Sequence, residues 1–330
     1  MEALKVRRPS PAARPLPWLG VAAVGLGFAL LALFIWSWWN RSDLAGAGQK
    51  WLILAGFAAA AYGVARVANF LAAVHTGPLV GFIPAGLTLA LVLLTVEALL
   101  RAYQVPAGLI PTPTRVLATL WATRDVLLQD AYQTVVLEAF TGYLVGCGLG
   151  VATALLVSRF VFLERGFLPY ATAFSSIPIV ALAPVLVKMM GLEWPSKAAI
   201  VAITVFFPVV VNTFRGLTEV SPLSLELMRS YAAGEAQQYR FLRIPNALPF
   251  VFNALKLGTT LAMIGSIVGE FFGAGGQGLG FRIQIEAGRF GFDIVWSAII
   301  VASVIGIAWY GLVAWLERRL TAWHVSFREG

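Results

Sequence analysis

The chain is short of charge. Only 12% of its 330 residues are Asp, Glu, Lys or Arg, against roughly 25% in ordinary globular domains. A water-soluble surface of normal composition is therefore excluded. One cysteine is present, Cys147, so no intramolecular disulfide can form. It lies inside an apolar run and reads as a small packing residue. The two histidines, His75 and His324, stand far apart without a Cys, His or Asp cluster around them. Neither supports a metal site. No His, Asp, Glu and Ser constellation suited to catalysis stands out.

What fills the chain is apolar. Hydrophobic residues make up 59% and the mean hydropathy is +0.81. A run of about 20 apolar residues crosses a bilayer, and backbone groups in lipid must pair internally, so such runs are helices. Runs of this kind fall at 17–39, 51–73, 80–101, 132–158, 166–188, 196–215, 247–271 and 294–316. The expected fold is all-α, a polytopic membrane helix bundle with about eight spans. Pro178 and Pro184 interrupt the fifth.

The net charge of +8 raises the question of nucleic acid. The basic residues sit instead at the ends of apolar runs, which points to topology rather than phosphate binding. Arg159, Arg165, Arg215, Arg229, Arg318 and Arg319 fall on one side in an eight-span arrangement. Lys5, Arg7, Arg8 and Arg14, among several prolines, read as a basic tail (residues 1–15) on that same, cytoplasmic, side. Both termini are then cytoplasmic. The first apolar run is long and lacks a small-residue cleavage site, so no cleavable signal peptide is expected. Trp36, Trp38 and Trp39 read as an interfacial belt.

Two loops fall on the opposite face. Segment 105–131 carries Pro111-Thr-Pro-Thr and then an amphipathic helix start, suited to the membrane surface. Segment 273–293 holds Gly273, Gly275, Gly276, Gly278 and Gly280. No Gly-Lys-Ser/Thr ending follows, so a tight turn or re-entrant segment is expected rather than a nucleotide site.

The most polar interior stretch runs from Glu226 to Pro249, between two apolar runs. Ser221-Pro222 suits a helix start, with serine able to cap and proline fitting the first position. Leu227, Met228 and Tyr231 recur at three- to four-residue spacing and give one apolar face. Gly234 permits a turn. A second polar helical stretch passes through Gln237, Gln238 and Arg240. Pro245 should limit it, and Pro249 should open the next span. A helix–turn–helix with an exposed apolar face suits docking into a partner groove.

Glu226-Leu-Met-Arg-Ser-Tyr-Ala-Ala-Gly followed by Ile244-Pro245 resembles the EAA loop of bacterial ABC importer permeases. Four further stretches match in family order. They are Pro111-Thr-Pro-Thr-Arg-Val, Ser176-Ile-Pro through Pro184 with Gly191-Leu192, Phe206-Phe-Pro208 through Asn212-Thr213, and Gly278-Leu-Gly280. The likeness covers about residues 80–325. It is nearest to the nitrate/sulfonate/taurine branch, which includes permeases for thiamine-precursor pyrimidines and riboflavin.

The resemblance implies a type I ABC importer transmembrane domain in the bacterial inner membrane. This chain would bind no cofactor; ATP and Mg would sit on a cytoplasmic ABC ATPase dimer. A second permease copy and a periplasmic or lipid-anchored substrate-binding protein would complete the importer, with no nucleic acid involved. ATPase coupling would fall to Glu226, Leu227, Met228, Tyr231, Ala232, Gly234 and Pro245, within a loop of about 221–246. Residues 77–325 would form the permease core, and 16–76 two extra transmembrane helices. Three departures stand out. Ala232 replaces a usual glycine, with Gly234 nearby to supply flexibility. Leu227 and Met228 replace two alanines. Glu138 stands where sulfonate-type members often have arginine, which tilts the substrate toward an aromatic heterocycle and away from a sulfonate- or nitrate-type anion.

An ionisable residue inside a span costs roughly 2.5–3.5 kcal/mol on insertion scales, so Glu138 needs a reason. It serves either an inter-helix bond or a substrate path. Ser175, Ser176, Asn212 and Asn253 are the other candidates for that path, against a helix-packing role for each. Phe206 and Phe207 suit either a gate or packing. Lys256 and Glu270 lie about 21 Å apart on an ideal helix and do not pair with each other. Glu270 reads as a periplasmic boundary residue. From a different class comes an ion-coupled secondary transporter, with Glu138 as proton carrier and no ATPase.

Overall fold

The computed structural model describes residues 17–40, 47–74, 82–273 and 275–321, with side chains in the first two stretches given for 21–32, 51 and 53–69. The basic tail, His75, His324 and the side chains of Trp36, Trp38 and Trp39 lie outside the described residues. Every regular element among the described residues is helical. The chain divides into two compact units, Met1–Ala118 and Thr119–Gly330.

The first unit contains α1 (Pro17–Asn40), α2 (Ala47–Val74) and α3 (Ile83–Ala102). Leu31, Ile53, Ala60, Leu91 and Ala98 form its core. α3 carries one buried acid, Glu97, which is held on every side. Arg101 Nε donates to it at 2.7 Å, and Thr114 donates through its backbone N–H at 3.0 Å and its hydroxyl at 2.7 Å. The carboxylate thus caps the start of α4 (Pro113–Ala122), where unpaired amides and the helix dipole favour negative charge.

The second unit contains α5 (Arg124–Val157), α6 (Val161–Phe174), α7 (Ile179–Met190), α8 (Trp194–Thr218), α9 (Pro222–Ser230), α10 (Glu235–Phe272), α11 (Leu279–Gly288) and α12 (Phe292–Leu320). α5, α8 and α10 form its centre. Gly142, Gly146 and Gly150 stand one turn apart on α5, and a Cβ at each would overlap the backbone or side chains of α8. Small residues allow this approach, which is how membrane helices gain packing when lipid supplies no hydrophobic drive. Cys147 is buried on the same helix, within the core that includes Tyr143, Val205 and Ala262.

Among the described residues five helices, α3, α5, α8, α10 and α12, are long and apolar enough to cross a membrane. The expected fifth span is not one rod. It is α6 and α7, bent by 96° between them. Pro178 sets the break, because it sits at the start of α7 in an extended conformation (ψ 121°) and its ring disfavours α-geometry in the residue before it. Counting the bent pair as one span gives six. α1 and α2 account for the other two expected segments as helices, with shorter described apolar stretches, Val21–Ala32 and Ile53–Asn69.

Two other expectations change. The helix expected after Pro111-Thr-Pro-Thr is α4, but the helix of the fourth span starts at Arg124, just after α4 and ahead of the expected 132. The polar stretch through Gln237 is not separated from the next span. α10 runs from Glu235 to Phe272 through Pro245 and Pro249. A π-helical turn at Tyr239–Arg243 explains this. Wider turns rearrange the hydrogen-bond ladder just where Pro245 would lack its donor and crowd the preceding turn.

Candidate coupling surface and substrate path

α9 projects between the spans α8 and α10. Pro222 occupies its first turn as expected, but Ser221 makes no capping bond through its side chain. The helix presents an apolar stripe. Leu223, Leu227 and Tyr231 stand four residues apart, on one face, and are exposed by 75%, 57% and 78%. Glu226 is also exposed, while Met228 is half-buried. The stripe therefore extends to Leu223, which sequence reading passed over, and runs beside Met228 rather than through it. The i, i+4, i+8 spacing was the available signal.

The turn after α9 is made by an unexpected residue. Ala232 takes φ +51°, the left-handed region. Gly234 takes φ −67° and ψ 167°, a conformation open to any residue. The flexibility expected of Gly234 is thus not used for the turn. Ala232 carries it, at a cost of roughly 1–2 kcal/mol for an L side chain. Gln237 then accepts the Gly234 N–H at 2.9 Å, starting α10.

Three side chains fasten the foot of α10. Asn246 Nδ2 donates to the carbonyls of Gly216 (2.9 Å) and Glu219 (3.1 Å) at the end of α8. Arg243 Nη1 donates to the Leu217 carbonyl at 3.4 Å. Tyr239 Oη donates to the Ser158 carbonyl at 2.5 Å, in the turn between α5 and α6. The Tyr239 ring also meets two guanidinium groups, Arg159 at 4.6 Å and Arg243 at 5.0 Å from its centroid.

The second polar assembly is enclosed within the bundle. Glu138 and Glu270 are each 1% exposed. Ser266 Oγ donates to Glu138 at 2.7 Å, and Gln133 Nε2 donates to it at 3.2 Å. Glu270 accepts the Thr134 hydroxyl at 2.6 Å and the Gly280 N–H at 2.5 Å. Asp130 accepts the Gly278 N–H at 2.9 Å and Arg282 Nε at 2.8 Å. Leu279 N–H donates to Thr134 Oγ1 at 2.8 Å. Glu270 thus stands two residues from the end of α10 yet is enclosed by the protein. The glycine-rich loop folds over it, and the first amides of α11 aim at oxygens of α5 and α10, as a helix N-terminus favours. Gly278 permits this, with φ +122° and no room for a Cβ beside the Glu270 carboxylate. Lys197, also missed from sequence, is buried nearby on α8 and donates to the carbonyls of Leu192 and Glu193.

The candidate path residues are dispersed. Ser175 and Ser176 are exposed at the bend between α6 and α7. Both hydroxyls donate to the Thr172 carbonyl, at 2.7 and 3.5 Å. Asn212 on α8 is half-buried and donates to the Pro208 carbonyl at 2.8 Å. Asn253 is exposed on α10. Next to the serines, Phe174 stacks on Phe207 at 5.2 Å, and Phe206 meets Phe207 edge-on at 4.9 Å. Lys256 finds its partner on α12, Glu317, at 2.6 Å. Among the described residues no group of three or more His, Cys, Asp or Glu is placed to hold a metal.

The described helices form a multi-pass bundle with the short helix α9 inserted before a proline-bearing span, an architecture shared with membrane transport subunits. The chain belongs to the binding-protein-dependent transport system inner membrane component family, whose model matches residues 146–322. It is 30% identical over 245 residues to the riboflavin transport system permease protein RibX of Chloroflexus aurantiacus, covering 74% of this chain and 90% of that one. It is 32% identical over 183 residues to the formylaminopyrimidine transport permease protein ThiX of Halalkalibacterium halodurans, covering 54% and 73%. The taurine transport system permease protein TauC of Escherichia coli is 30% identical over 210 residues, covering 63% and 72%. A crystal structure of an amino acid ABC transporter shares the fold, with a TM-score of 0.52 at 17% identity over 61% of this chain and 97% of that one. The protein is therefore the multi-pass inner-membrane permease of a binding-protein-dependent ABC importer, and hydrolyses no ATP itself.

Proposed function

We propose that α9 is the coupling helix of this permease and docks into a groove on a cytoplasmic ABC ATPase. The observation that carries this reading is the exposed stripe of Leu223, Leu227 and Tyr231 on a short helix between two spans. A contiguous exposed apolar face rimmed by polar residues is the mark of an interaction site. Ala232 makes the turn behind it, Gly234 stands at the start of α10, Glu226 lies at the polar edge of α9, and Pro245 stands in the span that follows. Two permease copies pair around the path, each engaging one ATPase subunit. ATP-driven closure of the ATPase dimer moves both coupling helices and turns the path from inward- to outward-facing. A periplasmic or lipid-anchored binding protein delivers the substrate, both termini are cytoplasmic, and residues 16–76 add two helices to a core of 77–325.

The test is co-purification of the neighbouring ATPase with the parent chain and with Leu227→Asp and Leu223→Asp. The parent retains the ATPase and both variants lose it. A folded parent that captures no ATPase, when expressed with its gene neighbours, overturns the reading. An ion-coupled secondary transporter would then come forward.

The substrate reading is an aromatic heterocycle of the riboflavin or pyrimidine-precursor kind. It is supported by the two relatives named for such compounds and by the Phe174–Phe207 stack beside Ser175 and Ser176, a surface suited to a flat ring. A sulfonate-type anion is the second reading, favoured by the likeness to the taurine permease. Uptake of riboflavin, formylaminopyrimidine and taurine into proteoliposomes holding the full importer separates the two.

A further inference from the structure

We infer that Tyr239 is a positioning residue that carries movement of the coupling helix to the bent pair α6–α7. The inference rests on the reading of α9 as the ATPase dock. Asn246 and Arg243 bind the end of α8. They join the two helices that flank α9 to each other, and make α9 and its two flanks one body. Tyr239 reaches a third element. Its hydroxyl donates to the Ser158 carbonyl at 2.5 Å and lies 3.2 Å from the Ser158 hydroxyl, 81 residues away in sequence.

Several features make this contact a linkage rather than an incidental bond. Tyr239 opens the π-helical turn at the foot of α10, directly after the coupling segment. Its acceptor is a backbone carbonyl, so a shift of Tyr239 pulls on the main chain of the α5–α6 turn. Its ring lies against the exposed Arg159 guanidinium from that same turn, at 4.6 Å. Cation–π attraction resists sliding of one element past the other.

The receiving side is one continuous helix, with Pro169 inside it. α6 starts at Val161, three residues after Ser158, and ends at Phe174. Phe174 stacks on Phe207 of α8 and is followed by Ser175 and Ser176 at the 96° bend. A displacement at Tyr239 therefore arrives at the bend along one helix, while α8 receives its own share through Asn246. Relative motion of α6 and α8 is then expressed where Phe174 and Phe207 meet.

The experiment uses the permease–ATPase complex carrying Ser176→Cys in a Cys147→Ala background. Maleimide labelling of that cysteine is timed with and without ATP and vanadate, so no substrate need be known. With Tyr239 intact, trapping changes the labelling rate by about fivefold or more, the lower range of ordinary coupling between sites. With Tyr239→Phe, which keeps the ring and loses the hydroxyl, the change falls below about twofold. Melting temperature and ATPase retention stay at parent values. Arg159→Gln, on an exposed side chain, gives an intermediate response and guards against a folding defect at position 239.

An unaltered nucleotide response in Tyr239→Phe overturns the inference. So does a parent complex whose bend ignores nucleotide, since nothing then arrives there. Failure of the parent to hold the ATPase at all is a different result, and removes the docking reading instead.

Discussion

Thr134 Oγ1 lies 2.6 Å from the Glu270 carboxylate and joins α5 to α10 across 136 positions of sequence. The same oxygen accepts the Leu279 N–H at 2.8 Å. One hydroxyl thereby serves a buried carboxylate and a buried amide. Thr134→Val keeps the shape and removes both functions. A lost hydrogen bond plus an orphaned buried N–H comes to about 2–4 kcal/mol. Thr134→Ser should stay within about 1 kcal/mol of the parent by comparison. Thermal unfolding of the purified protein in detergent gives the order parent, serine, valine.

Gly276 and Gly278 both take positive φ, at +93° and +122°, but their surroundings differ. A Cβ at Gly276 meets nothing within 4 Å, whereas one at Gly278 would strike the Glu270 carboxylate. Gly276→Ala should cost about 1 kcal/mol for backbone strain alone. Gly278→Ala should cost more than about 3 kcal/mol, because the loop must lift off Glu270 and strand its acceptors. Equal melting temperatures for the two variants would refute this account of the loop.

Ala232 holds the left-handed turn without glycine's freedom. Ala232→Gly relieves about 1 kcal/mol of strain. Pre-organisation of the dock then tightens ATPase binding by up to about fivefold. Ala232→Val acts in the opposite sense, since a β-branched residue at positive φ is a severe outlier. Titration of detergent-solubilised permease with purified ATPase measures all three affinities.

Lys256 and Glu317 pair at 2.6 Å between α10 and α12, with side chains 18% and 9% exposed. Lys256→Met leaves Glu317 without its counter-charge, at a cost of about 3 kcal/mol, in the range for breaking an enclosed pair. The double change Lys256→Met with Glu317→Leu should recover most of that loss. A double variant no more stable than Lys256→Met would show that the pair matters for something other than mutual neutralisation.

Much of this architecture is local in origin and can be read from the chain. Long apolar runs made the spans α3, α5, α8, α10 and α12 legible, whereas the fifth run proved to be the bent pair α6 and α7, broken at Pro178. The α9 start was legible from Pro222, and its apolar face from Leu227 and Tyr231. What escaped depends on distant or compensating groups. Pro245 read as a stop, because the π turn that admits it has no signature of its own. The burial of Glu270 at the end of its span escaped, because its partners Thr134 and Gly280 come from another helix and from a loop that folds back. Ala232 read as a missing glycine with Gly234 as a substitute. Backbone geometry assigned the strain to the alanine instead. Lys256 lacked a partner in its own helix, and Glu317 is 61 positions downstream.

The 96° break between α6 and α7 leaves Ser175, Ser176 and Ile177 exposed within a membrane segment. Helix ends leave amides and carbonyls without intrahelical partners, and hydrocarbon supplies none. This flank of the molecule is therefore hostile to lipid and must be met by water or by another polypeptide. The bend is thus the place where this span trades a lipid-facing wall for a wet or protein-covered one.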